Sequence, residues 1–299
     1  MSGILQTFLM YKDNIVLPFG LFGGGFSGAK STYTDKYTYS GDTVSAGTVL
    51  GTAREGLAAT GNSTVGIFGG GNSGSRSTYT DKYTYSGDIV AAGTVLGTAR
   101  EGLAATGNST LGIFGAGYTG SVSTYTDKYT YSGDTVVAGT VLGTARDSLA
   151  ATGNSTVGIF GGGIVGASKS KYTDKYTYSG DTRVAGTLLG NTIYLLAATG
   201  NSTVGIFGGG LIGSYSAYTD KYTYSGDTRV TATVLGLARY GLAATGNSTV
   251  GIFGGGDSGS NSTYTDKYTY SGDTVAAGTV LGLARRSLAA CSSTANGLA

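Results

Sequence analysis

The sequence predicts an all-β fold, a six-bladed β-propeller of four-stranded antiparallel blades. Three observations lead there. The 299 residues include 56 Gly, 23 Tyr and a single Pro with only 12% charged residues, the make-up of short strands joined by glycine turns. The segment YTDKYTYSGD begins at Tyr33, Tyr79, Tyr125, Tyr172, Tyr218 and Tyr264, a spacing of 46 residues with one step of 47. Within each copy the pattern has period two, as in Tyr79, Asp81, Tyr83 and Tyr85 against Thr80, Lys82 and Thr84, which rules out a helix.

A second anchor, Gly-(Ile/Leu)-Phe-Gly-(Gly/Ala)-Gly, starts at Gly20, Gly66, Gly112, Gly158, Gly205 and Gly251 and carries the same period, so the one extra residue lies between Gly163 and Tyr172. In the second unit the expected strands are Ala53 to Thr60 (a), Thr64 to Gly70 (b), Thr78 to Tyr85 (c) and Ile89 to Leu96 (d). Gly61-Asn62 and Ser86-Gly87-Asp88 supply the turns between a and b and between c and d, as residues that tolerate positive φ. A four-stranded meander cannot bury both of its faces alone, whereas six copies set radially give every sheet two neighbours. The glycines of strand b allow close packing near the axis, and the tyrosines fill the gaps between blades with their hydroxyls on polar partners. A hydrophobic fraction of 40% is enough for such a core.

The AR-x-x-L-A-A-T strand, the I-F-G-G-G strand and the Y-T-Y strand resemble successive parts of a kelch repeat over roughly residues 20 to 291. The chain departs from that pattern in having no Trp on the fourth strand and no Pro before the Arg. The resemblance implies that the strand following the Arg is innermost. The first b, c and d strands then lack an a strand of their own, and the missing one is Ala284 to Cys291, so the C-terminal strand is expected to close the ring against the N-terminal blade. The propeller accordingly spans 19–299, and residues 1–18 form an apolar extension, with Ile4 to Met10 as a docking segment.

Comparing the six copies with one another locates three variable windows. After the glycine run stand FSGAKS from Phe26, NSGSRS from Asn72, YTGSVS from Tyr118, IVGASKSK from Ile164, LIGSYSA from Leu211 and DSGSNS from Asp257. After the Arg position stand Glu55-Gly56, Glu101-Gly102, Asp147-Ser148, Tyr194-Leu195, Tyr240-Gly241 and Arg286-Ser287, and strand d carries Arg183 and Arg229 in place of apolar residues. In an up-down-up-down blade the first two windows share one face, opposite the nearly constant TGN and SGDT turns. Unconstrained drift of exposed loops would favour small polar residues, yet many of these are large and apolar or aromatic. The expected contact residues are Phe26, Asn72, Arg76, Tyr118, Ile164, Val165, Tyr194, Leu211, Ile212, Tyr215, Tyr240 and Asp257.

Chemistry finds little footing. There is no His, so the copper chemistry of galactose oxidase, which shares the kelch propeller, is excluded, and no Trp, which sialidase-type Asp boxes contain. Arg54, Arg100, Arg146, Arg239 and Arg285 recur once per blade, with Ile193 at the remaining position, and are expected to pair with backbone carbonyls or a neighbouring Asp. Asp35, Asp81, Asp127, Asp174, Asp220 and Asp266 each stand alone inside a strand, without the oxygen ligands of a calcium site. Asn-Ser-Thr after the a strand is turn chemistry before it is a glycosylation acceptor, and IFGGG lacks the Lys-Ser/Thr and the helix of a phosphate loop. A formal net charge of +2 gives no footprint for nucleic acid, no apolar run reaches the length of a membrane span, and the single Cys291 has no disulfide partner. The N-terminus has no basic n-region or cleavage site, so no export signal is expected.

The expectation is a non-catalytic binding module without cofactor, presenting its loop face to a glycan or a protein. The alternative is a structural component of a larger assembly, since a short leader followed by highly repetitive β structure looks like some phage tail or virion-attached proteins. Closure by the last strand has a direct consequence. Truncation at Leu283 should open the ring and expose a sheet edge, seen as oligomerisation by size-exclusion chromatography and a lowered melting temperature; a monomer with unchanged melting would refute the topology.

Overall fold

A computed structural model describes residues 18–294. Six four-stranded antiparallel sheets form the ring, and apart from one 3-10 turn at Tyr85–Gly87 the described residues contain no helix. The fold is a six-bladed β-propeller. Blade 2 is built from Ala58–Gly61, Val65–Gly69, Thr80–Thr84 and Ile89–Ala92, and blades 3 to 6 repeat that order. Blade 1 takes its innermost strand, Ala289–Ser292, from the far end of the chain and pairs it with Phe19–Gly23, in the register Leu21 to Cys291. Ring closure is thus as the strand count demands. The proposed docking segment Ile4 to Met10 lies outside the described residues.

All four strands are shorter than the sequence suggests, a and d most of all and for identifiable reasons. Strand a starts at Ala58 rather than Ala53 because Gly56 adopts φ +63° and turns the chain. Strand d stops at Ala92 rather than Leu96 because Thr94 leaves the sheet to bond the next blade at Asp134. The turns also work differently from the expectation. Neither Gly61 nor Asn62 takes positive φ; instead Asn62 Oδ1 accepts the N–H groups of Thr64 (2.9 Å) and Val65 (3.0 Å). In the c–d turn the left-handed residue is Asp88, at φ 53°.

Three closed circuits of hydrogen bonds tie the blades together. Nearest the axis, Gly56 N–H donates to Ser287 C=O (2.9 Å), Gly102 to Gly56 (2.8 Å), Ser148 to Gly102 (2.7 Å), Leu195 to Ser148 (2.8 Å), Gly241 to Leu195 (2.8 Å) and Ser287 to Gly241 (2.6 Å). All six residues have φ between 54° and 63°, so the geometry is imposed even on Ser148, Leu195 and Ser287. In the middle, a buried tyrosine hydroxyl from each blade meets strand a of the previous one: Tyr131 with Thr60 (2.9 Å), Tyr178 with Thr106 (3.2 Å), Tyr224 with Thr152 (2.9 Å), Tyr270 with Thr199 (3.2 Å) and Tyr39 with Thr245 (2.9 Å). Tyr85 completes the set on Cys291 Sγ at 3.4 Å and Ser292 C=O at 3.2 Å. At the rim, the backbone of Thr48, Thr94, Thr140, Thr187, Thr233 and Thr279 donates to Asp88, Asp134, Asp181, Asp227, Asp273 and Asp42 at 3.0 to 3.4 Å.

Glycine is required in strand b by the neighbouring blade rather than by the axis. A Cβ on Gly69 would drive into the Phe114 ring, and one on Gly112 into the Thr60 methyl. The recurrent arginine is fully buried and pairs with the recurrent aspartate as expected, Arg100 with Asp127 at 2.6 Å, Arg239 with Asp266 at 2.7 Å and Arg285 with Asp35 at 2.8 Å, and likewise Arg54 with Asp81 and Arg146 with Asp174. Backbone carbonyls such as Phe114 C=O (3.1 Å) take a further guanidinium N–H. In blade 5, Ile193 packs instead among Ile159, Leu196 and Phe207. Asp220 there accepts from Gly190 N–H (2.9 Å), Tyr218 O–H (2.9 Å) and Arg229 (3.4 Å).

Cys291 stands where five blades have Thr, and burial pushes its thiol up to about 12. Replacing Cys291 by Thr should return a hydroxyl to Tyr85 and stabilise by about 0.5–1.5 kcal/mol, read as a melting temperature raised by roughly 1–6 °C; a lower one would show that sulfur fits the site better. The rim circuit makes a second prediction. Burial works against the Asp42 charge, but hydrogen bonds from Tyr37 O–H and Thr279 N–H, with Lys267 nearby, hold its carboxyl below the usual value, and Lys128, Tyr176 and Thr140 do the same for Asp181. The stability these groups add is complete above the unfolded carboxylate pKa of about 3.9 and is lost as pH falls through their lowered values. Melting temperature measured against pH should therefore fall on acidification below about pH 4, and a flat profile down to pH 2 would contradict the role of the rim aspartates.

Candidate functional site

Beyond strands a and b of each blade an isolated β-bridge joins the two main variable windows. Phe26 pairs with Arg286, Asn72 with Glu55, Tyr118 with Glu101, Ile164 with Asp147, Leu211 with Tyr194 and Asp257 with Tyr240. The six bridges lie beside the innermost hydrogen-bond circuit, whose members Gly56, Gly102, Ser148, Leu195, Gly241 and Ser287 each follow a bridged residue. They therefore frame the mouth of the central channel. Below them a ring of leucines, from Leu57 to Leu288, narrows the channel, and the far end is lined by the alanines at 59, 105, 151, 198, 244 and 290. The extra residue of the fourth copy falls in a two-stranded ribbon, Ile164–Val165 with Ser168–Lys169, on this loop.

The mouth is chemically divided. Blades 2, 3 and 4 contribute Glu55, Glu101 and Asp147, which share a depression with Tyr118. Burial, with the Glu101 charge adding to it, lifts the Asp147 carboxyl above its ordinary value. Blades 5 and 6 contribute Tyr194 and Tyr240, and Tyr215 lies with its ring centroid 5.5 Å from that of Tyr240. Burial and the Asp257 carboxylate raise the Tyr240 hydroxyl, keeping it a hydrogen-bond donor.

The expected contact residues are brought together on one face, but they are unequally available. Tyr118 and Tyr215 are exposed, at 36% and 43%, while Phe26, Asn72, Arg76, Ile164, Val165, Tyr194, Leu211, Ile212 and Tyr240 are half-buried. Asp257 departs from the expectation of a surface contact: it is only 7% exposed, receives Gly259 N–H at 2.9 Å and lies 3.3 Å from Arg286. Several others spend their chemistry on neighbouring blades. Arg76 sits 3.8 Å from Glu101 and 5.0 Å over the Tyr118 ring, and Asn72 donates to Glu101 at 2.9 Å; within blade 1, Arg286 lies 4.8 Å over the Phe26 ring. Ile212 packs against the core cluster shared by blades 4 and 5.

Glu55, Glu101, Asp147 and Arg286 belong to the mouth although they are absent from the expected contacts. Their variability between copies was the available signal, and their pairing with the first window is what singles them out. Among the described residues no group of His, Cys, Asp or Glu is arranged to hold a metal ion, and the one thiol is buried. No helix of the described residues is long and apolar enough to cross a membrane.

A scan against protein-family models finds no match for this chain, and neither does a search of curated proteins. Among solved structures it is similar to the one described as "Structure of YjhT", with a TM-score of 0.69 at 11% sequence identity, covering 88% of this chain and 98% of that one. At that identity the likeness is one of fold.

Proposed function

We propose that the protein is a non-catalytic recognition module that takes a glycan or a protein segment on the channel-mouth face. The observation that carries this reading is the convergence of the two main variable windows on one rim, over a scaffold whose inter-blade bonds are repeated six times almost without change. A fixed frame under variable loops separates stability from specificity, which lets contact residues change without endangering the ring. The division of the mouth suits a ligand with both apolar and polar surface. Tyr194, Tyr215 and Tyr240 offer ring faces and hydroxyls to a sugar or an aromatic side chain, and Glu55, Glu101 and Asp147 accept hydrogen bonds across the opening. A kelch-like ancestry of the repeat, argued from its Arg, glycine and Tyr positions, is compatible with this reading and adds no ligand to it.

Replacing Tyr118, Ile164, Leu211 and Tyr215 together by Ser should abolish retention on a glycan array or a peptide array while leaving the melting temperature within about 4 °C of the parent. A much larger drop would show that these side chains are core, and undiminished retention would place the binding surface elsewhere.

A further inference from the structure

All six blades carry the same strand-c aspartate, and the space beside it is filled in some blades and open in others. A glycine backing that space reports the occupant. A Cβ built on Gly282 or Gly236 would meet the hydroxyl of Tyr33 or Tyr264, whose rings fold back over Arg285 and Arg239 at 5.1 and 5.2 Å. One on Gly143 would meet the guanidinium of Arg183, which stands 3.5 Å from Asp174 Oδ1. One on Gly190 would meet Tyr218 and Arg229, the latter 3.4 Å from Asp220 Oδ1. In blades 2 and 3 the equivalent Cβ, on Gly51 or Gly97, would meet only the aspartate itself.

The reason lies on strand d and at the rim. Where blades 4 and 5 have Arg183 and Arg229, blades 2 and 3 have Val90 and Val136, and Tyr79 and Tyr125 turn outward with 55% and 52% exposure. Blade 2 is left with an open groove lined by Gly51, Thr52, Tyr79, Asp81 and Val90. On its floor Asp81 Oδ1 accepts one N–H, from Gly51 at 3.0 Å, and Asp127 Oδ1 likewise accepts Gly97 N–H at 3.1 Å.

We propose that the groove of blade 2 and the equivalent space beside Asp127 in blade 3 are slots for arginine side chains of a partner protein. The chain itself demonstrates the fit: blade 4 places a second guanidinium on a carboxylate that already holds a buried one, since Asp174 pairs with both Arg146 and Arg183. Asp81 and Asp127, engaged with Arg54 and Arg100, have the same capacity left. A planar guanidinium can meet Oδ1 with one edge and lay its face on the Tyr79 or Tyr125 ring, which the compact ammonium of lysine does less well. Because the pair is partly solvated, one arginine binds weakly, with a Kd on the order of millimolar. Two slots on adjacent blades reward a segment that presents two arginines, through effective concentration. The slots lie on the blade flanks and do not depend on the channel-mouth reading.

The test is a titration of the full chain with N-acetyl-arginine amide, followed by amide NMR shifts. Saturable shifts should appear at Gly51 and Gly97 and be absent at Gly143 and Gly190, and N-acetyl-lysine amide should bind at least about tenfold more weakly. Val90→Arg, which copies the residue blades 4 and 5 already carry, should erase the response at Gly51 alone, and Val136→Arg that at Gly97 alone. Each variant reports on its own slot, so failure of one to fold leaves the other to decide. Equal responses to arginine and lysine, shifts spread over all six blades, or a Gly51 response that survives in folded V90R would overturn the assignment.

Discussion

The ring stands on contacts that pass from each blade to the next and return to the first after six steps. A twisted four-stranded sheet of this sequence has two apolar faces and no way to cover either alone, so no blade is stable without both neighbours. The three hydrogen-bond circuits make this mutual dependence specific. At the axis the donors and acceptors are backbone groups in the left-handed region, at mid-blade a tyrosine hydroxyl meets a threonine, and at the rim an aspartate caps the end of the preceding blade. The two inner circuits close only because Ser287 and Cys291, from the end of the chain, join the sheet begun by Phe19–Gly23, and the rim circuit closes where Thr279 meets Asp42.

Buried charge in such a ring is costly unless it is paired, and the arginine–aspartate pairs illustrate both the rule and its exception. Five blades bury a whole guanidinium against a carboxylate and backbone carbonyls. Where Ile193 removes the cation, Asp220 is not left unpaired: Arg229 arrives from the opposite edge of the sheet, and Tyr218 and Gly190 supply further donors. The arginines on strand d are thus part of the same electrostatic accounting as the arginines before strand a.

The variable face shows how such a scaffold can carry difference without losing order. Its side chains meet one another across blade boundaries, as Arg76 does with Glu101 and Arg286 with Asp257, so the loops contribute to the ring as well as to its surface. Tyr118 and Tyr215 are the exposed aromatic side chains among these windows, each still in contact with a neighbour, Arg76 or Tyr240.

The fold was legible in the sequence because a propeller repeats its physics: a period of 46, alternation at period two, and turn residues at fixed places in every copy. The closing strand Ala284 to Cys291 and the pairing of Arg with Asp followed from counting and from the cost of buried charge. Other features were decided only by tertiary structure. That Gly56 and its counterparts bond in a closed circle, that strand b needs glycine because of Phe114 and Thr60 next door, and that Asp257 is buried against Arg286 all depend on which residues of different blades come within a few ångströms. Sequence periodicity determines what each blade presents, whereas the ring geometry alone determines what it is presented to. The physical reason is that strand pairing within blades 2 to 6 is local in the chain, while the contacts that close the ring and tie its mouth together join residues of different blades.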